Sequence, residues 1–158
     1  MYNEIAGGYD ELHKEEQLKK LAIVKDNLKI KKTDKLLDVG CGTGISADFE
    51  CDVTGIDPSE KLIKYAERKF PHGQFMLADA EEMPFEDNEF DVVVSLTAIH
   101  NFDDIEKGLS EIKRVGKKKF ALTILKKSEK FNEIKNKIKE SFDVKKEVDE
   151  EKDVIFII

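Results

Sequence analysis

The sequence predicts an α/β protein: a Rossmann-like, doubly wound, mostly parallel seven-stranded sheet with an antiparallel C-terminal hairpin strand. Three observations carry this. Short apolar runs alternate with amphipathic segments along most of the chain. FDVVVSL (90–96) and KKFALTIL (118–125) are apolar on both faces, as in a parallel sheet covered on both sides. The last two strand-like runs are joined only by DEEK, too short for a crossover helix, so they pair antiparallel.

The elements follow in order. Residues 9–29 read as a helix with Leu18, Leu21, Ala22 and Leu28 inward. KLLDVG (35–40) and DVTGID (52–57) are the first two strands. Only ten residues separate Gly44 from Gly55, so the helix between them, near ISADFE, is short or irregular. PSEKLIKYAERKF places Leu62, Ile63, Ala66 and Phe70 on one helical face, with Pro58 in the turn that leads in. GQFMLAD (73–79) is the third strand, and the fourth and fifth are the two apolar runs above. DDIEKGLSEIKRVG buries Ile105, Leu109 and Ile112, with Asp103 or Asp104 as N-cap and Gly116 as C-cap. SEKFNEIKNKIKESF groups Phe131, Ile134 and Ile138. FDVKKEV (142–148) and DVIFII (153–158) form the hairpin, the second as an inner strand. No repeat or linker divides the chain, so one domain over 1–158 is expected, with 1–30 as an N-terminal helix or lid and 35–158 as the sheet core.

Composition narrows the function. No run of about 18 apolar residues exists, so no membrane span or membrane partner is expected. The N-terminus lacks a basic-then-apolar leader pattern. Cys41 and Cys51 show no framework spacing and no nearby His, which points to a reducing cytoplasm and to no metal site. The net charge of −7 is uneven. Residues 79–91 hold seven acids and no base, whereas 113–139 hold eleven bases against two acids. A basic stretch can attract RNA, but all bases except Arg68 and Arg114 are lysines or histidines, a composition poorly suited to bidentate phosphate contacts. Solvated helix faces are the simpler reading, and no DNA partner is expected.

The stretch KLLDVGCGTG carries the chemistry. Its glycines, Gly40, Gly42 and Gly44, follow a strand but come one residue early for the dinucleotide pattern GxGxxG. Asp38 is the larger obstacle to that reading. A carboxylate about 4 Å from a phosphate costs on the order of 4 kcal/mol at an effective dielectric near 20, and a cation gains as much. The ligand at this turn therefore carries positive rather than phosphate charge. S-adenosylmethionine, with a sulfonium, an ammonium, a ribose and an adenine, meets that requirement. Asp57 ends the second strand, where a carboxylate can accept from ribose hydroxyls. Asp79 ends the third, where it can accept from an adenine amine while the Ala80 N–H donates to a ring nitrogen. Three acids at three successive strand ends make a negative pocket.

LLDVGCGTG, GIDPS, LADAEEMPFEDNEFDVVVSLTAIHNF and EIKRV together resemble the successive motifs of class I S-adenosylmethionine-dependent methyltransferases, of the small kind known as methyltransferase type 11. The resemblance spans about residues 2–125. It implies that Asp38 and the Gly40–Gly44 turn, with Cys41 and Thr43, hold the methionine end. It assigns Asp57 to the ribose and Asp79 with Ala80 to the adenine, and it counts Pro58 and Ser95 among the cofactor-binding residues. It also implies that Tyr9 closes over the cofactor, with Gly7 and Gly8 as a hinge. The family's Pro-Gly-Gly turn before the fifth strand is replaced here by GKKK.

The acceptor is less constrained. SLTAIHNF lacks the Asn-Pro-Pro-Tyr or Asp-Pro-Pro-Tyr stretch with which the family holds a planar amino nitrogen. His100 follows the fourth strand, and an ordinary imidazole can take a proton at neutral pH, so His100 is the candidate base or substrate orienter, with Asn101 a second orienter. Three functions remain open at this point: methyl transfer to a small molecule, methyl transfer to tRNA or protein, and cofactor binding without catalysis.

Overall fold

The computed structural model describes residues 6–158, with side chains from Lys14 onward. Helix α1 (Ala6–Leu28) leads into strand β1 (Lys35–Val39), a 3-10 turn (Ile45–Asp48) and strand β2 (Asp52–Asp57). Helix α2 (Glu60–Lys69) and strand β3 (Gln74–Leu77) precede a long loop and strand β4 (Phe90–Ser95). A 3-10 turn (Ile99–Asn101), helix α3 (Ile105–Val115), strand β5 (Gly116–Leu125) and helix α4 (Phe131–Ser141) follow. Strands β6 (Lys146–Asp149) and β7 (Asp153–Ile157) close the chain. The sheet runs β3-β2-β1-β4-β5-β7-β6, parallel except for β7, which is antiparallel to both its neighbours. The order reverses between β1 and β4, the position at which such sheets open a crevice beyond their carboxyl ends.

Strand alternation sorts the core into two layers. Leu36, Val53, Val92, Val94, Ala121 and Ile155 face α1 through Leu21, Val24 and Leu28. Leu37, Val39, Val93, Leu122 and Ile124 face α3 and α4 through residues such as Leu109, Ile112, Ile134 and Ile138. Helix α2 packs with Ile63 and Ala66 on Phe75 and Cys41. Burying both faces of the central strands explains their unbroken apolar runs. Asp104 caps α3 by accepting the Lys107 N–H at 3.1 Å, and Ser59 caps α2 by accepting the Leu62 N–H at 3.3 Å. No helix among the described residues is long and apolar enough to cross a membrane.

Two details differ from the sequence expectation. Ala22 is exposed, and the inward face of α1 instead runs through Lys20, Leu21, Val24 and Leu28. Gly116 caps α3 as expected, its N–H donating to the Ile112 carbonyl, and its extended φ of −98° reflects its place as the first residue of β5. Strand β6 begins at Lys146, since Phe142 stays in the core with its ring 5.1 Å from that of Phe120. The segment between β1 and β2 is a single 3-10 turn, as its ten-residue span required.

Candidate cofactor and acceptor site

The turn after β1 is built by backbone geometry that suits glycine. Gly40, Gly42 and Gly44 have φ of +78°, +54° and +86°, which L-residues with a Cβ adopt at a cost. At Gly40 a Cβ would also stand 2.5 Å from the Cβ of Ala98, so the turn lies directly against the segment after β4. The N–H groups of Gly40 and Cys41 both donate to the Ile56 carbonyl, at 2.8 and 2.9 Å. Asp57 completes the clamp. Its Oδ2 accepts the Gly42 N–H at 3.0 Å and its Oδ1 accepts the Ser59 N–H at 2.9 Å. One carboxylate thus ties the glycine turn to the start of α2.

A cavity of about 580 Å³ opens beside this turn at the carboxyl ends of β1, β2 and β4. Among the described residues its wall includes five acids, Asp38, Asp57, Asp79, Glu81 and Asp103, and no Lys, Arg or His. Asp38 is 3% exposed and burial raises its carboxyl from 3.8 to about 7, Ser46 opposing and Asp57 reinforcing the shift. Ser46 lies beside it in a geometry that leaves Ser46 Oγ and Asp38 Oδ1 each without a hydrogen-bond partner among the described residues. A carboxyl in this position is favoured by a cation and disfavoured by phosphate.

The cavity wall includes Asp38, Gly40, Cys41, Gly42, Thr43, Asp57, Pro58, Asp79 and Ala80. It does not include three other residues that the sequence suggested. Gly44 lies behind the turn, where a Cβ would meet Ala66 and Phe75 at 2.8 and 3.0 Å. Ser95 is fully buried and donates through Oγ to the Val39 carbonyl at 2.9 Å, joining β4 to β1. His100 sits on the 3-10 turn after β4 but away from the cavity. Burial lowers the pKa of its imidazole, Asp153 opposing the shift and Lys130 adding to it, and its carbonyl accepts from Lys130 Nζ at 3.4 Å. Its neighbour Asn101 does line the cavity. The side chain of Tyr9 lies outside the described residues, and Gly7 and Gly8 fall within α1. Burial pushes the Cys41 thiol above its ordinary range and the Cys51 thiol to about 11, so neither is a thiolate at neutral pH.

Two features escaped the sequence reading. Gln17 and Thr97 line the cavity, and a buried polar cluster lies directly behind Thr97. Lys20 Nζ is 3.1 Å from Asp153 Oδ2 and donates to Thr97 Oγ1 at 2.9 Å. Thr97 Oγ1 and Thr123 Oγ1 also donate to Asp153 Oδ2, and the Thr97 N–H donates to Thr123 Oγ1 at 2.7 Å. These bonds hold Thr97 at φ +54°, a conformation that a β-branched residue keeps only when its surroundings enforce it. The cluster pins α1 and the start of β7 to the cavity floor. The second feature is the docking of the acidic loop. Arg114 donates to the carbonyls of Phe85 and Met83 at 2.8 and 3.2 Å, and Glu111 Oε1 accepts the Met83 N–H at 2.9 Å. The Glu and Arg of EIKRV therefore hold the loop that follows Asp79 and Ala80.

The sheet order, the glycine turn and a cavity whose charged wall residues, among the described ones, are all acids define an α/β protein of the Rossmann-like class. The match is specific: residues 37–123, more than half of the chain, fit the family model described as Methyltransferase domain, and the chain belongs to that family. The demethylmenaquinone methyltransferase of Thermotoga maritima is 36% identical over 98 residues, covering 58% of this chain and 43% of the relative. That of Chlorobaculum tepidum is 33% identical over 131 residues, covering 73% of this chain and 53% of the relative. The chain spans about half the length of these curated relatives. A solved SAM-dependent methyltransferase from Aquifex aeolicus superposes with a TM-score of 0.72 at 22% identity, covering 86% of both chains, and shares the fold. The family's cofactor is S-adenosylmethionine. The orphaned Asp38 oxygen and a cavity wall without a base fit that cationic, phosphate-free group.

Proposed function

We propose that this chain is an S-adenosylmethionine-dependent methyltransferase acting on a small-molecule acceptor. The observation that carries the reading is the cavity wall of five carboxylates without a base. When bound, the cofactor supplies an electrophilic methyl on a sulfonium, so the protein's task is to hold charge, align the acceptor and exclude water. In this reading Asp38 meets the positive methionine end. Asp57 accepts the ribose hydroxyls with the lone pairs left over from its two backbone bonds. Asp79 and the Ala80 N–H hold the adenine edge. Leu96, Ala98 and Phe102 give the acceptor side an apolar wall, and Asn101 orients the acceptor there. His100, outside the wall, is left no direct contact with the reacting atoms.

The relatives' names make a demethylated quinol the first acceptor to try. An RNA acceptor has little support. Lys117, Lys126, Lys135, Lys137 and Lys139, all in the lysine-rich stretch, pair with Asp91, Asp149, Glu147, Glu133 and Glu147. Two free cysteines with no disulfide partner suit a reducing cytoplasm. The test is methyl-labelled cofactor incubated with the protein and demethylmenaquinol, and in parallel with a cell extract split into small molecules, RNA and protein. Label in a small molecule supports the reading. Label confined to RNA or protein, or none anywhere despite cofactor binding, overturns it.

A further inference from the structure

The sheet has two edges, and they are treated differently. Strand β6 reads KEVD and carries a lysine and two acids. Strand β3 reads QFML and carries no charge. Edge strands are normally guarded against strand addition by charge, proline or a bulge, and β3 has none of these in its four residues. Met76 and Leu77 are 40% and 56% exposed and are the exposed large hydrophobics among the described residues. Being consecutive, they point to opposite faces, so the edge is apolar on both sides.

The flanks of β3 carry opposite charge. Arg68, Lys69 and His72 precede the strand, and Asp79, Glu81 and Glu82 follow it. The Arg68 guanidinium and the Glu82 carboxylate, both outside the cavity wall, have no hydrogen-bond or ion-pair partner among the described residues. An antiparallel strand with the same sequence would bring the basic start of one copy against the acidic end of the other, twice by symmetry. A parallel copy would set like charge against like.

We propose that β3 is a self-association edge, where two copies of this chain pair their β3 strands antiparallel about a two-fold axis and continue the sheet across the pair. The interface is isologous, so each favourable contact occurs twice. Four residues a side is small against the roughly 1,200–2,000 Å² of a stable interface, so the dimer is weak, with Kd on the order of 100 µM. This inference is independent of the methyl-transfer reading.

Analytical ultracentrifugation of the cofactor-free protein from about 10 µM to about 1 mM brackets that Kd. The wild type is expected to show a reversible monomer–dimer equilibrium. Leu77→Lys weakens it at least about tenfold with an unchanged melting temperature, because the side chain is exposed in the monomer. Met76→Lys serves as the second variant if Leu77→Lys lowers the melting temperature. Glu82→Lys alone also weakens the dimer, and combining it with Arg68→Glu restores it. A monomer throughout the range, or a dimer indifferent to both lysine substitutions, overturns the proposal. A dimer lost with Leu77→Lys but not restored by the charge exchange overturns the antiparallel pairing.

Discussion

The carboxylate of Asp57 accepts the backbone N–H of Gly42 across 3.0 Å, while Asp38, also on a buried strand end, has an oxygen with no partner among the described residues. The two acids therefore play opposite parts. Asp57 holds the fold together, and Asp38 is a buried polar group open to a cation. Asp57→Ala removes a charged acceptor from two backbone N–H groups, each worth about 1.5–3 kcal/mol. Both stability and cofactor affinity should fall, which urea denaturation and calorimetry measure on the same sample. Asp38→Asn should weaken cofactor binding at least about tenfold without lowering stability, since it removes a desolvated carboxyl.

The raised Asp38 pKa has a definite sign. Between its ordinary 3.8 and about 7, the folded chain keeps a proton that the unfolded chain has released. The contribution of this group to stability therefore decreases as pH rises through that window and is level above it. Denaturation midpoints from the ordinary 3.8 up past about 7 should show this slope in the wild type relative to Asp38→Asn. A bound cation favours the carboxylate, so cofactor affinity should rise up to about pH 7 and binding should release protons below it. Titrations in buffers of different ionisation enthalpy detect that release.

The positions of these acids are legible in the sequence for a physical reason. Strand period and the glycine turn place Asp38 and Asp57 at the ends of β1 and β2, while β3 stops at Leu77 and Asp79, expected as its last residue, lies two residues beyond it. The Lys20–Asp153 pair is not legible, because its partners lie near opposite ends of the chain and nothing local to either announces the other. It also explains why α1 differs from its expected face. Apolar spacing alone turns Ala22 inward, whereas the buried lysine rotates the helix so that Lys20 and Val24 share the inner face. Ser95 and His100 are near the cavity along the chain, but strand alternation and the turn after β4 direct them elsewhere.

The three glycines should not be equivalent. Gly40→Ala combines positive φ with a clash at 2.5 Å against Ala98, and should cost about 2–4 kcal/mol. Gly42 has φ +54° but nothing within 4 Å of where an added methyl would lie, so Gly42→Ala should cost only about 1–2 kcal/mol. Urea midpoints of the two variants give the comparison.

Lys20→Met should be among the most damaging single changes outside the apolar core. It leaves Asp153, fully buried, without its cation, and breaking such a pair from one side costs about 3–5 kcal/mol. The double variant Lys20→Met with Asp153→Leu should recover part of the loss, as buried pairs replaced whole often do. Denaturation of the single and double variants measures the recovery.

In the function proposed above, the acidic cavity beside the glycine turn holds S-adenosylmethionine. Calorimetric titration of S-adenosylhomocysteine and S-adenosylmethionine into the wild-type protein and Asp57→Ala tests it most directly. One site per chain is expected, with Kd below about 100 µM for the wild type and at least about tenfold weaker binding for the variant. No heat of binding to the folded wild type, or equal affinity in the two proteins, would contradict it.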